Sequence, residues 1–263
     1  MPGKSLSVLI PAYNEVTTLV EVVRRVVHSE ATTLATSLQI VVVDDCSTDG
    51  TGAIVEALGR DWRGVVGGVE AARADRVAVV VARHEPNQGK GAAIRTGVGL
   101  ATGDLLIIQD ADLEYDPRDF PKLLGPLLED RADVVYGSRF LPSERRVLLF
   151  WHSIGNGLIT LLTNMATDLN LSDAETGYKA FRTEVIRRLT LESDRFGFEI
   201  EITAKLARAG CRFYEVPIGY HGRGYDEGKK ITWKDGVDAL WCIGRFGLAR
   251  NVAKRVGRPH ARG

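Results

Sequence analysis

Cysteine is scarce in this chain of 263 residues, and long apolar runs are absent. The three cysteines, Cys46, Cys211 and Cys242, lie far apart and form no C-x-x-C pair, which argues against a disulfide framework or a structural zinc site. The first apolar run, 6–12, is too short for a signal peptide, and no stretch approaches the ~18 apolar residues of a membrane-spanning helix. We therefore predict a cytoplasmic protein.

The chain also lacks an excess of charge of either sign. Lys and Arg total 34, and so do Asp and Glu, which gives a formal net charge of zero. The overall basicity expected of a general nucleic-acid binder is absent, so we predict no nucleic-acid partner. Basic residues nevertheless collect at the C-terminus, where no acidic residue follows Asp238.

The first half of the chain alternates short apolar runs with amphipathic segments. The apolar runs are 7–12, 39–43, 77–82 and 104–108, and the segments that follow them are 16–27, 50–58, 89–101 and 120–129. Continuous β-branched strands alternating with helices are typical of a mostly parallel sheet covered by helices on both faces. The pattern therefore predicts an α/β fold.

The second half is less regular. Strands are predicted at 134–136 and 213–218, and helices at 147–167 and 200–209. The Gly- and Arg-rich segment 59–75 is predicted to be a surface insertion. We place one domain over 5–222, followed by a C-terminal loop, an amphipathic helix and a basic tail over 223–263.

Polar clusters follow the first four predicted strands. Ligands of open parallel sheets bind beyond the carboxyl ends of the strands. A single polar cluster would suit a helix cap or a turn, but four in succession predict a site. The clusters are Pro11-Ala12-Tyr13-Asn14-Glu15, Asp44-Asp45-Cys46-Ser47-Thr48-Asp49-Gly50, Asn87-Gln88-Gly89-Lys90-Gly91 and Gln109-Asp110-Ala111-Asp112-Leu113-Glu114.

The fourth cluster contains a pair of carboxylates two residues apart. Asp110 and Asp112 leave an extended segment and can converge on one oxygen-preferring cation, with Glu114 as a third ligand. Such a cation would bridge a diphosphate. The alternative is a helix cap near Asp116.

The third cluster joins flexible backbone to one cation, Lys90, just before a predicted helix. The unpaired N–H groups of a helix N-terminus suit a phosphate. The alternative is a plain turn with a helix cap. The segment is not a Walker loop, and no G-x-G-x-x-G follows the first strand, which argues against a dinucleotide-binding enzyme.

Taken in order, the four clusters resemble the inverting family-two glycosyltransferases, in particular the branch of the dolichol-phosphate mannosyltransferases, which act on polyprenyl phosphates. The resemblance covers about residues 5–240. The further matching segments are Gly137-Ser138-Arg139-Phe140, Asp173-Ala174-Glu175-Thr176-Gly177-Tyr178-Lys179, Phe198-Glu199-Ile200-Glu201, Val216-Pro217-Ile218 and Arg223 with Gly228-Lys229-Lys230-Ile231.

The resemblance implies a GT-A fold that binds a nucleotide-sugar donor such as GDP-mannose or UDP-glucose. The turn 11–15, with Asp44 and Asp45, would hold the base and ribose, and Mg²⁺ or Mn²⁺ would sit on the diphosphate. The implied metal ligands are Asp110, Asp112 and Glu114. The implied donor-binding residues are Pro11, Ala12, Tyr13, Glu15, Asp44, Asp45, Gly89, Lys90, Asp110, Ala111 and Lys229.

The same resemblance implies an acceptor, either a polyprenyl phosphate or a hydroxyl compound. Arg139 and Arg223 match positions expected near phosphate, although a surface salt bridge is the alternative for each. An ionised lipid phosphate needs little help from a base, whereas a hydroxyl needs a carboxylate, for which Asp173 and Glu175 are the candidates. Asp112, Asp173, Glu175, Arg139 and Arg223 are thus the predicted catalytic residues.

Two segments favour peripheral contact with the inner face of a membrane. Arg145-Arg146 precedes Val147-Leu148-Leu149-Phe150-Trp151, and the basic tail follows Trp233 and Trp241. Core packing with a solvated tail is the alternative. The acids Glu199 and Glu201 are predicted to favour the first turn of a helix, and His221 is left without a role.

Three other functions share part of this pattern. A D-x-D after an apolar strand also occurs in haloacid-dehalogenase-type phosphatases, but Glu114 and the position of the motif more than 100 residues into the chain argue against that class. A sugar-1-phosphate nucleotidyltransferase would carry a Gly-rich, Arg-containing loop after the first strand, and the turn 11–15 is not such a loop. A noncatalytic nucleotide-sugar-binding regulator would not need Arg139, Asp173, Glu175 and Arg223.

Overall fold

The computed structural model describes residues 3–142, 150–195, 197–222 and 240–247. Within them, seven strands form one sheet in the order β3-β2-β1-β4-β6-β5-β7. The strands are β1 (Leu6–Ala12), β2 (Leu38–Asp44), β3 (Val77–Arg83), β4 (Leu105–Ile108), β5 (Val134–Ser138), β6 (Lys179–Arg182) and β7 (Phe213–Pro217).

The sheet is mostly parallel, which confirms the predicted α/β class. β1 pairs in parallel with β2 and with β4, β2 pairs in parallel with β3, and β5 pairs in parallel with β7. β6 runs antiparallel to both β4 and β5. No strand is predicted from the sequence at β6, because four residues are too few for a visible pattern.

Helices cover both faces of the sheet. One core contains the apolar sides of α1, α3 and α6, and the other contains those of α5 and α9. The helices are α1 (Leu19–His28), α2 (Ala31–Leu34), α3 (Thr51–Val66), α4 (Ala71–Ala74), α5 (Lys90–Leu100), α6 (Phe120–Leu128), α7 (Phe150–Thr167), α8 (Thr183–Arg187) and α9 (Phe198–Arg208), with a π-helical turn at Ile243–Gly247.

The predicted surface insertion at 59–75 is wrong over its first half. α3 continues through it to Val66, with one non-helical residue at Asp61, and Val66 is buried against the core. Trp62 and Val65 also pack on the core, so a helical apolar spacing continues beyond Leu58. The glycines and arginines between these apolar residues concealed that spacing.

The C-terminal region is described only in part. Of the predicted helix 147–167, α7 accounts for 150–167, and residues 147–149 lie outside the described residues. The predicted tail is described only over 240–247, so the boundary at 222 stays a prediction. In the part of the chain that the structure describes, no helix has both the length and the apolar composition to cross a bilayer.

Strand register places the predicted site residues at one edge. Ala12 is opposite Asp44, and Asp44 is opposite Arg83. At the end of β4, Ile108 pairs with Lys179, the first residue of antiparallel β6. The segments after the first four strands and the segment before β6 therefore meet at the carboxyl edge of the sheet.

We predict that Gly97→Ala lowers the free energy of unfolding by about 1–3 kcal/mol, the usual cost of overpacking a core. The added methyl would lie 1.9 Å from Cδ1 of the buried Leu9, because α5 packs directly on β1. Denaturant unfolding followed by circular dichroism measures the change. In the same helix, a methyl at Gly99 meets nothing within 4 Å among the described residues. Gly99→Ala should therefore stabilise by about 0.5–1 kcal/mol, and equal effects would contradict the packing.

Candidate active site

The loops after β1 and β2 are joined by hydrogen bonds. Asn14 donates its backbone N–H to Ser47 Oγ (2.9 Å), and its side-chain oxygen accepts the N–H of Thr48 (2.8 Å). Glu15 donates its N–H to Thr51 Oγ1 (2.8 Å). The predicted donor-binding turn Pro11-Ala12-Tyr13-Asn14-Glu15 is thus fixed to the second cluster, and the ring of Tyr13 is left exposed.

Asp44 is fully buried at the end of β2 and has one open oxygen. Its Oδ1 accepts the N–H of Ser47 (3.1 Å), while Oδ2 accepts no hydrogen bond from any described residue. Arg83 Nε lies 3.4 Å from Oδ2. A buried acceptor without a donor is costly, so this oxygen is well suited to receive a donor group from a ligand.

Asp45 has a different environment, because its carboxylate is occupied by the chain itself. It accepts the N–H groups of Gln88 (2.9 Å) and Gly89 (2.7 Å), and His84 Nδ1 lies 2.7 Å from Oδ1. Asn87 donates its side-chain amide to the Asp45 carbonyl (2.8 Å). Asp45 therefore holds the loop that leads into α5, a role the sequence analysis did not foresee.

The N-terminus of α5 is not the open anion site that the sequence predicted. The N–H groups of Gly91 and Ala92 both donate to the carbonyl of Asp194, at 2.8 and 3.2 Å. Glycine permits this approach, since a Cβ at Gly89 or Gly91 would lie 2.4 or 2.2 Å from a carbonyl oxygen of the 193–194 loop. That loop already satisfies the N–H groups expected to bind a phosphate.

Lys90 contacts the predicted metal site directly. Its Nζ lies 2.9 Å from Asp110 Oδ1, 3.2 Å from Asp110 Oδ2 and 3.3 Å from Glu199 Oε1. Burial by itself would lower the pKa of Lys90, but the charges of Asp110 and Glu199 outweigh burial and raise it. The lysine is therefore charged at neutral pH.

The three predicted metal ligands are not gathered around one point. Leu113 has a left-handed backbone (φ 64°), and Glu114 accepts a hydrogen bond from the hydroxyl of Tyr220 (2.7 Å). No group of three or more His, Cys, Asp or Glu side chains within the described residues is arranged to hold a metal ion. Asp110 nevertheless already binds one cation, the ammonium of Lys90, and carboxylate oxygens are the ligands Mg²⁺ and Mn²⁺ prefer. Asp110 thus fits such an ion, while Asp112 accepts the N–H of Glu114 (3.1 Å) and the Glu114 carboxylate is bonded to Tyr220.

The segment before β6 packs on Asp110. A Cβ at Gly177 would lie 2.4 Å from Asp110 Oδ2, so only glycine allows the segment to come this close. Gly177 also donates its N–H to the hydroxyl of Tyr115 (3.0 Å), and burial raises the pKa of that tyrosine to about 12. The structure thus brings Asp110 and Gly177 of the 173–178 segment together.

Arg139 and Asp173 form a two-pronged ion pair. Nε and Nη2 of Arg139 donate to the two carboxylate oxygens of Asp173, each at 2.7 Å. Asn156 of α7 accepts from Arg139 Nη2 (3.0 Å) and donates to Asp173 (3.3 Å). Burial opposes the charge of Arg139, but the charge of Asp173 prevails and raises its pKa. Asp173, predicted as a candidate base, is instead engaged by an arginine.

Glu175 is the other candidate base. No described residue forms a hydrogen bond or ion pair with its carboxylate. Burial, and then the charge of Glu199, raises its pKa to about 7. A carboxylate of this kind can exchange a proton near neutral pH.

Two buried charges at the site were absent from the predicted set. Lys179 lies under the ring of Tyr136 and donates to the carbonyls of Ala174 and Thr176, and burial lowers its pKa to about 8. Glu199 pairs with Lys90, whereas the sequence predicted an acid that merely favours a helix start. Its position between the buried apolar residues Phe198 and Ile200 at the start of α9 was the available signal.

Several predictions stay untested. Arg223 and Lys229, like Arg145 and Arg146, lie outside the described residues. Ala111 is buried next to the aspartate pair. His221 donates its backbone N–H to the Glu114 carbonyl (2.9 Å) while the residue is exposed, and nothing in its surroundings assigns it a role.

Comparison with known proteins gives one family. The profile of Glycosyl transferase family 2 matches residues 7–190. The chain is 31% identical to the undecaprenyl-phosphate mannosyltransferase of Micrococcus luteus, over 92% of this chain and 93% of that protein. It is 30% identical to the polyprenol monophosphomannose synthase of Mycolicibacterium smegmatis, over 97% and 92%.

A solved structure supports the same fold. Glucosyl-3-phosphoglycerate synthase from Mycobacterium tuberculosis, in complex with Mn²⁺, UDP and phosphoglyceric acid, superposes with a TM-score of 0.65. The match covers 94% of this chain and 80% of that chain at 21% identity, a likeness that concerns the fold. The predicted GT-A fold is confirmed.

We predict that Asp44→Asn impairs nucleotide binding, whereas Asp45→Asn impairs folding stability. Asp44→Asn should weaken binding of a nucleoside diphosphate by about 1–3 kcal/mol, because an open buried oxygen loses its charge, with little change in stability. Asp45→Asn should lower the free energy of unfolding by a similar ~1–3 kcal/mol, because an amide N–H₂ would face backbone donors. Calorimetric titration with GDP and UDP, together with denaturant unfolding, measures both. A fully stable Asp45→Asn protein that has lost nucleotide binding would instead place Asp45 on the nucleoside.

Proposed function

Because the chain belongs to glycosyl transferase family 2, we propose that it moves a hexose from a nucleoside diphosphate sugar to the phosphate of a polyprenyl phosphate, with inversion. The two bacterial relatives, by name, act on undecaprenyl phosphate and on a polyprenol, and both names specify mannose. We therefore propose a mannosyl donor. The observation that carries the proposal is the partly buried Arg139, which is hydrogen-bonded to α7, a helix whose outer face is apolar.

The donor would lie along the carboxyl edge of the sheet. The exposed ring of Tyr13 offers a surface for the base, and the open oxygen of Asp44 offers an acceptor for a base or ribose group. Asp45 keeps the loop of Lys90 in place. The diphosphate would then come near Asp110, Asp112 and Lys90.

A divalent ion, Mg²⁺ or Mn²⁺, would be held by Asp110 and Asp112. When bound, such an ion neutralises the negative charge that develops on the leaving diphosphate. Lys90 supplies a second positive charge at the same place. The pair of aspartates orients the diphosphate, and Gly177 leaves room for Asp110 to do so.

Arg139 would orient the acceptor phosphate. Its planar guanidinium suits a phosphate, and Asp173 and Asn156 fix its direction. An ionised phosphate oxygen can attack the anomeric carbon without a base. Asp173 then serves as the positioning partner of Arg139 and not as the base.

α7 supports a lipid acceptor. Residues 150–167 contain no Asp, Glu, Lys or Arg. Its buried side packs on α9 and on 242–246, while the opposite side exposes apolar residues at helical spacing. Such a face is suited to lie in a bilayer interface, and Asn156 links the same helix to Arg139. The exposed residues are Phe150, Trp151, Ile154, Leu158, Leu161 and Met165.

A hydroxyl acceptor is the second candidate, and Glu175 favours it. A carboxylate with a pKa of about 7, free of partners among the described residues, suits the removal of a hydroxyl proton. This chemistry would use the same donor. It differs in its dependence on pH and on Glu175.

We predict that Asp112→Asn abolishes transfer while the protein stays folded, because an amide lacks the charge that holds a divalent ion. Release of GDP from GDP-mannose, or of UDP from UDP-glucose, with Mn²⁺ and a polyprenyl phosphate measures the loss. Wild-type protein with chelator should fail in the same way. Full turnover by Asp112→Asn in the presence of chelator would remove the metal from the proposal.

We predict that Leu158→Gln lowers transfer to a long-chain polyprenyl phosphate in anionic vesicles and spares transfer to a short-chain, water-soluble one. The change removes about 1–2 kcal/mol of apolar contact with the interface. Leu34→Gln, which alters an exposed leucine on the short helix α2, is the matched control and should leave both reactions unchanged. In vesicle co-sedimentation, Leu158→Gln should bind less than the wild type, and Leu34→Gln should bind as the wild type does.

Glu175→Gln separates the two acceptors. If the acceptor is a phosphate, the variant keeps its transfer activity. If the acceptor is a hydroxyl, the variant loses activity, and the wild-type rate rises as pH passes about 7 because the carboxylate must be ionised. The absence of any lipid-linked product with either donor would leave the hydroxyl reaction as the better account.

A further inference from the structure

Glu199 is a buried acid whose pairing is incomplete. It lies in the first turn of α9, where its Oε1 is 3.3 Å from Lys90 Nζ. Its other oxygen, Oε2, is buried and has no hydrogen-bond partner among the described residues. An unpaired buried carboxylate oxygen reduces stability, so the fold alone gives no reason for an acid here.

Glu201, two residues along the same helix, shows what a purely structural acid looks like in this protein. Its two oxygens accept the N–H groups of Glu192 (2.7 Å) and Ser193 (2.6 Å), and Lys205 is its ion-pair partner. The two bonds to backbone N–H groups hold the 191–194 loop. Glu199 has no such backbone partner, and its one described ion pair is with Lys90.

Lys179, a buried lysine nearby, forms no ion pair with Glu199 among the described residues, although the charge of Glu199 partly offsets the lowering of the Lys179 pKa by burial. Lys179 donates to the carbonyls of Ala174 and Thr176 and lies 4.5 Å from the centre of the Tyr136 ring. These contacts satisfy its ammonium group. Lys90, Lys179, Thr176 and Glu199 line a small pocket.

Lys90 contacts two carboxylates, those of Asp110 and Glu199, and a divalent ion at the proposed metal site would bind the first of them. Both oxygens of Asp110 contact Lys90, so a cation arriving at Asp110 must displace the ammonium group or share the carboxylate with it. Two cations on one carboxylate repel each other. Glu199 provides a second anionic contact that Lys90 keeps when it gives up Asp110.

We infer that Glu199 is a positioning residue, which holds Lys90 beside Asp110 and retains it when a divalent ion takes Asp110. The inference rests on the proposed metal site and adds a residue to it. It follows that Lys90 competes with the metal ion, and that Glu199 weakens this competition. Glu199 then acts on metal binding through Lys90, in addition to its own charge.

A double-mutant cycle tests this coupling. Mn²⁺ binding is measured by electron paramagnetic resonance on wild type, Glu199→Gln, Lys90→Met and the double variant, with no donor present. We expect Glu199→Gln to weaken Mn²⁺ binding about fivefold or more in the presence of Lys90, and by a clearly smaller factor with Met at position 90. Lys90→Met alone should strengthen binding, because it removes the competing cation.

Glu201→Gln is the matched control, since it removes another buried acid of α9 that pairs with Lys205 and not with Lys90. It should lower thermal stability and change Mn²⁺ binding by the same factor in both backgrounds.

The outcomes separate the inference from the proposed function. Equal factors for Glu199→Gln in the two backgrounds would overturn the positioning role and leave the metal site intact. Weaker or unchanged Mn²⁺ binding by Lys90→Met, a variant that does not depend on Glu199→Gln folding, would also overturn it. A wild-type protein that binds no Mn²⁺ would overturn the proposed metal site and this inference together.

Discussion

Charges buried at the carboxyl edge of the sheet must be paired, and this requirement arranges the loops around them. Asp45 is paired with backbone N–H groups, Asp173 with Arg139, and Asp110 with Lys90. Each pairing fixes a segment that is distant in sequence. The need of each carboxylate for a donor thus fixes these loops in addition to the apolar packing beneath them.

The pairing also separates two kinds of acid at the site. Both carboxylate oxygens of Asp45, Asp173 and Glu201 accept hydrogen bonds from the chain, and these bonds hold neighbouring segments in place. Asp44 and Glu199 each keep a buried oxygen that accepts no hydrogen bond from a described residue, although Arg83 lies 3.4 Å from that of Asp44. Buried polar groups are normally satisfied, so these two oxygens support the proposed donor site and the proposed role of Glu199.

Much of the fold was predictable because the signals were local and repeated. Four apolar runs followed by amphipathic helices predicted the parallel half of the sheet, and the order of the strand-end clusters predicted the family. The antiparallel β6 and the continuation of α3 to Val66 were not predictable, because a four-residue strand and a glycine-interrupted helix have weak periodicity. The site residues could be named from their motifs. Their partners could not, since the Asp194 carbonyl at α5 and the Lys90 contact with Glu199 depend on segments about a hundred residues apart.

The apolar face of α7 also affects how the isolated protein behaves in solution. The chain has a formal net charge of zero at pH 7, so long-range repulsion between molecules is weak. The exposed apolar face of α7, which includes Trp151 at 77% exposure, can then associate with the same face of another molecule. Colloidal stability should therefore be lowest near neutral pH, and a mild detergent or a shift of pH should disperse the protein by covering the face or by restoring net charge.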